Sequence, residues 1–153
     1  MNPDQYSEIK AWAADYPEGV DYVDFLTRNC TVGHWLAFCR VLWPRFVLER
    51  GCVLWDRVYE PAGFDAWYRH LDGDVRRVEA TLNRLVVADI IDADETREDD
   101  DALEEIAETV GRAWRAALSS AYPDREFEVR VDDTDDGPVV SFVSVGVPGA
   151  GTG

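Results

Sequence analysis

Residues 32–44, VGHWLAFCRVLWP, hold one charged side chain, Arg40, and three large aromatic ones, Trp35, Phe38 and Trp43. They sit in a chain whose formal net charge is −16. So apolar a stretch must be covered by something, and what covers it constrains the fold. Thr31 suits an N-cap and Pro44 stops a helix, so the spacing predicts a helix between them. Val32, Trp35, Leu36, Cys39, Leu42 and Trp43 form one stripe. The other side carries Ala37, Phe38 and Val41, with only His34 and Arg40 polar. A helix apolar nearly all round is normally buried on several sides. The expectation is a central helix with the charged parts around it. The alternative is a face covered by another chain.

The rest of the chain can build a core around it. At 153 residues the length suits one domain, able to bury about two-thirds of its unfolded surface. Helical spacing is expected from Pro3 to Tyr16 and over 20–28. RFVLERGCVLWDRVY (45–59) reads as strand, with Gly51 a bulge or turn. PAGFDAWYRHL (61–71) reads as a short helix. Asp74 caps a longer one through Val75, Val78, Leu82, Leu85 and Val86. DADETREDDD (92–101) reads as a charged loop, and Asp101 with Glu104 as the start of the next helix. That helix shows Leu103, Ile106, Ala107, Val110, Trp114, Ala117 and Leu118 on one side, with Gly111 placed for a close approach. EFEVRV (126–131) alternates as a half-buried strand, DDTDDGP turns, and VVSFVSV (139–145) returns. The predicted class is α+β: a single domain over 1–146, with helices packed on one face of a small antiparallel sheet. The stretch 147–153 is expected to be a flexible Gly-rich tail.

Charge and cysteine content narrow the function classes. Residues 92–153 alone carry −12. Such a chain repels phosphate, which argues against nucleic acid and anionic membranes as partners. Acidity also serves solubility, including in a salt-rich cytoplasm. Three cysteines, Cys30, Cys39 and Cys52, and an N-terminus MNPDQYSEIK without a basic-then-apolar pattern point to reduced thiols in a cytoplasmic protein. No metal or cofactor is expected. Cys30 and His34 can share a helix face, but Cys39 lies about 140° round from His34, and no C-x-x-C pair exists. Asp132, Thr134, Asp136 and Gly137 partly match a calcium loop, but the twelfth position is Val143 where a glutamate is needed. No phosphate-binding glycine loop, G-x-S-x-G or H-E-x-x-H is present.

No catalytic residue is assigned. The function expected is protein binding or an accessory role, with a partner that is a second copy or a more basic protein. Trp43, Trp55, Trp67, Tyr68, Arg40 and Arg45 are the candidate contact residues, because Trp, Tyr and Arg are the types enriched at interface hot spots. Two alternatives remain. One is a small metal-independent enzyme with a pocket near His34 and Cys39 or Cys52. The other is an acidic inhibitor or immunity-type protein that blocks a basic site with 92–108 and 132–136.

Overall fold

The computed structural model describes residues 1–146. The stretch 147–153, expected as a tail, lies outside the described residues. In chain order come α1 (Ser7–Ala13), α2 (Tyr22–Asn29), α3 (Val32–Leu42), β1 (Phe46–Glu49), β2 (Cys52–Trp55), α4 (Pro61–His70) and α5 (Val75–Leu82). Then follow β3 (Arg84–Val86), α6 (Arg97–Ala121), β4 (Glu126–Thr134) and β5 (Gly137–Val145). The class is α+β, with a β1–β2 hairpin and an antiparallel sheet of order β3-β5-β4. Among the described residues no helix is long and apolar enough to cross a membrane.

The main core lies between α6 and one face of the three-stranded sheet. Leu103, Ala107, Val110, Trp114 and Leu118 recur at intervals of three and four, which aligns them on one side of α6. They meet Val129, Val140 and Phe142 from the strands. The Trp114 ring stands edge-on to Trp55 at 5.2 Å and to Phe142 at 5.8 Å. Gly111 permits this closeness: a Cβ there would stand 2.9 Å from Val131 Cγ2. The hairpin turns at Arg50–Gly51, both left-handed with φ of 48° and 82°, as a two-residue primed turn requires. Along β2, Val53 and Trp55 join the main core while Cys52 and Leu54 join a second cluster with Phe64, Leu71 and Val78. β2 is therefore buried on both faces.

Two polar side chains join the hairpin to the sheet. β2 uses one edge to pair with β1, and its other edge faces Glu79 and Asn83, both fully buried. Glu79 accepts from Val53 N at 2.8 Å, Ser144 N at 2.6 Å and Ser144 Oγ at 2.8 Å. Asn83 Oδ1 accepts from Trp55 N at 3.0 Å, and Asn83 Nδ2 donates to Val53 O at 2.8 Å. β3 pairs with β5 only along 139–141. Beyond that, Phe142 N reaches Asn83 O at 3.4 Å and Ser144 N reaches Glu79. One turn of helix thus serves two strand edges that would otherwise be buried without partners, at about 1–3 kcal/mol for each group.

Three expectations about elements are corrected. α5 stops at Leu82 rather than running to Val86, because Asn83 leaves helical geometry and its side chain binds β2. α6 begins at Arg97, inside the expected loop and ahead of Asp101. The Thr96 hydroxyl caps it, accepting from Asp99 N at 3.1 Å, and Glu98, Asp99 and Asp100 fill a first turn where the helix dipole favours anions. The third concerns α3, which is not central. Neither α1, α2 nor α3 contains a buried residue.

The segment ahead of α1 attaches to α6 through polar contacts. The Met1 amine pairs with Glu105, and the Tyr6 hydroxyl donates to Asp99 at 2.5 Å. That hydrogen bond, more than burial, pushes the Tyr6 phenol up to about 12.

Replacing Glu79 tests the join. Glu79→Gln puts an amide donor against a backbone N–H and should cost about 1–3 kcal/mol in urea unfolding. Glu79→Ala leaves the Val53 and Ser144 donors without an acceptor and should cost more, at about 1–3 kcal/mol for each donor. Losses below about 0.5 kcal/mol for both variants would show that the two edges are satisfied some other way.

Candidate functional site

α3 begins with a reciprocal cap. The His34 amide donates to Thr31 Oγ1 at 3.4 Å, and the Thr31 amide donates to His34 Nδ1 at 3.0 Å. The imidazole thus fills the role a glutamate plays in a capping box. Trp43 N closes the last turn on Cys39 O at 2.8 Å, and Pro44, buried, ends the helix. α3 is held to the body on the side of Val41. That side chain packs against the main core, and its carbonyl accepts from Trp114 Nε1 at 2.8 Å.

Val32 lies about 180° round the helix from Val41, so the stripe centred on Val32 faces outward. Exposure reaches 77% at Val32, 67% at Leu36, 53% at Trp43 and 47% at Trp35. Phe38 and Leu42 are exposed as well. Trp35 and Phe38 are edge-to-face at 6.2 Å, and Phe38 stacks on His34 at 6.4 Å. With full side-chain areas of about 200 Å² each, these six residues leave roughly 650 Å² of side chain in water. That exceeds the largest patch of a typical monomer, about 300–600 Å². No acidic residue occurs between 30 and 48, where the only charges are Arg40 and Arg45. Both are exposed, and neither has a carboxylate within 4.0 Å among the described residues.

The six candidate contact residues do not form one patch. Trp43, Arg40 and Arg45 belong to α3 and its exit. Trp67 is exposed on α4, with its ring edge-on to His70 at 5.8 Å. Tyr68 is half-buried against Phe64 at 5.5 Å and beneath the Arg50 guanidinium at 5.2 Å. Trp55 is a correction: at 2% exposure, packed on Trp114, it is core and offers nothing to a partner.

Among the described residues no hydrogen bond joins a cysteine to a histidine. His34 and Cys39 are both exposed on α3. Cys52 is fully buried in the second cluster, where burial first, and then the Glu79 and Glu49 carboxylates, push its thiol up to about 12. Among the described residues no three His, Cys, Asp or Glu side chains are arranged to hold a metal ion.

Two concave regions lie elsewhere. One, open and about 850 Å³, brings the acidic stretches together: Asp89, Asp92, Asp94, Glu95 and Asp100 line it with Asp135 and Asp136 from the β4–β5 turn. The other, about 330 Å³, lies on the sheet between α5 and β4. There Glu128 binds Arg76 Nη2 at 2.5 Å through one oxygen and Arg130 Nη2 at 2.5 Å through the other. Sequence reading missed this arginine set, because the strand alternation gives the face but not which strands become neighbours.

No family model matches this chain, and neither the curated proteins nor the solved structures contain a match.

Two measurements check these environments. Cys39 should react with a thiol reagent in the native protein and Cys52 only on unfolding; rapid modification of Cys52 in the fold would contradict its placement. Arg130, and then Arg76, hold the Glu128 carboxyl below its ordinary value. Since the folded value is the lower one, the stabilisation is present at neutral pH and lost as pH falls through that folded value. In an NMR titration the Glu128 midpoint should lie below the usual carboxylate value of about 4.3 and rise in Arg130→Gln. An unshifted midpoint would mean the pair is not formed.

Proposed function

We propose that this chain is a cytoplasmic protein-binding module that acts without catalysis of its own, and that the outer face of α3 takes a second copy of the chain. The observation that carries this reading is the outward turn of the stripe Val32, Trp35, Leu36, Leu42 and Trp43. Its composition supports it: apolar and aromatic residues beside arginine, without acids, are what interface centres favour. The area supports it too, since about 800 Å² per partner makes a standard interface and the exposed side chains alone approach that. A second copy is favoured over an unlike partner by charge. Two bodies at −16 repel, and 30–48 is the segment where that repulsion is least. Helix against helix about a two-fold axis is the simplest closed assembly such a stripe can make.

Salt separates this reading from docking of a basic protein in the acidic groove. Added salt screens repulsion between like-charged copies and should strengthen self-association, whereas it weakens an acidic–basic pair. Sedimentation across protein concentration and salt should show a dimer that grows with both. Leu36→Glu and Trp43→Ala should shift the protein to monomer with unchanged circular dichroism, because both side chains are exposed. A wild-type monomer at every concentration and salt would overturn the dimer. A complex with a basic protein that dissolves at high salt and survives Leu36→Glu would move the functional face to the groove at 89–100.

A further inference from the structure

The sheet register brings arginine side chains together on the face opposite α6. Arg84 on β3 pairs with Ser141 on β5, and Ser141 pairs with Arg130 on β4. Residues paired across antiparallel strands point to the same face. The row therefore sets two guanidinium groups on either side of a serine hydroxyl, with strands about 4.8 Å apart. All three residues line the cavity of about 330 Å³, and Arg76 enters it from α5.

The charges in this cavity do not cancel. Arg76, Arg84 and Arg130 face two acids, Glu128 and Asp132, which leaves one positive charge in a chain that is otherwise strongly negative. Glu128 already occupies Arg76 and Arg130, so these side chains are held before any ligand arrives. Groups fixed in advance lose less entropy on binding. Arg84 has no carboxylate within 4.0 Å among the described residues. Among the described residues the Ser141 hydroxyl has no hydrogen-bond partner, and it is not sealed from solvent. Val139, Val143 and Ala80 complete the lining with an apolar surface. The volume is at the lower end of small-molecule sites, about 300–1,000 Å³.

We propose that this cavity binds a small organic acid carrying a single carboxylate and a short apolar body. The carboxylate accepts from Arg84, Arg130 and the Ser141 hydroxyl, and the apolar body lies on Val143 and Ala80. One net positive charge matches one negative charge. A phosphate dianion would set its second charge against Glu128 and Asp132. None of the residues lining this cavity belongs to α3.

The test is an amide-resolved NMR titration of the full chain with butyrate, inorganic phosphate and sodium chloride at matched ionic strength. Butyrate should give saturable shifts confined to residues around 84, 128–132 and 139–143. Arg84→Gln and Ser141→Ala should each weaken it at least fivefold. Arg84 is exposed and its substitution leaves both cores intact, so circular dichroism should not change. Shifts equal to those with chloride would overturn the site. Phosphate saturating where butyrate does not would overturn the ligand class. Saturable butyrate shifts that persist undiminished in both variants would overturn the assigned residues.

Discussion

A buried carboxyl group and a buried carboxamide, one helical turn apart, hold the two β-elements as one body. Neither sheet completes its own hydrogen bonding. β2 is buried on both faces and paired along one edge only, while β5 extends past the end of β3. Extending either strand pairing would have been the ordinary solution. Instead, α5 and Asn83 at its end run along the gap and supply side-chain oxygens and a nitrogen where a strand would supply a ladder. A ladder can slip in register, but a side-chain stitch cannot. Glu79 fixes Val53 against Ser144, and Asn83 fixes Val53 and Trp55 against Phe142. The low local dielectric that strengthens these bonds also makes losing one partner expensive.

With that join made, the body no longer needs its N-terminal helices to close the core. Trp55, Trp114, Phe142 and Leu118 already fill the space between α6 and the strands. What α3 contributes is mainly Val41 and its carbonyl, at the edge of that core. The apolar stripe is therefore free to serve something other than the fold. The body is packed without the stripe, and α3 presents that stripe to solvent.

Much of this was legible in the residues. The alternation in 126–131 and 139–145 gave the β4–β5 hairpin, the spacing of Leu103 through Leu118 gave α6, and Gly111 marked the close approach that Val131 makes. The α3 helix itself, with Thr31 at its start and Pro44 at its stop, was also readable. Its orientation was not. A periodic apolar stripe records that a face avoids water, and the pattern is the same whether the chain itself or another chain covers that face. The end of α5 was missed for a related reason. Leu85 and Val86 continue the helical period of Val78 and Leu82, while the bonds that pull Asn83 out of the helix come from β2, thirty residues earlier. Glu79 and Asn83 gave no signal for the stitch either: they lie about 40° and 80° round from Val75, outside the arc that Val75, Val78 and Leu82 span.

Charge placement ties the two outward-facing surfaces to the same scaffold. A body at −16 is surrounded by a negative potential that any approaching group meets first. Against that background, local departures from acidity are informative, because each one gives up some of the solubility the rest provides. One departure is α3 with its exit, which carries Arg40 and Arg45 and no acid. Another is the row Arg84–Ser141–Arg130, built by strand pairing rather than by sequence proximity. The first is continuous in the chain, broad and apolar, and so suits a large complementary surface. The second is assembled from three strands and a helix, concave and polar, and so suits a small ligand. α5 and the strand that follows it connect the second surface to the core. The helix that presents Arg76 to the cavity also buries Glu79 in the stitch, and Arg84 follows directly on Asn83. The geometry of the cavity is thus set by the same contacts that hold the two sheets together.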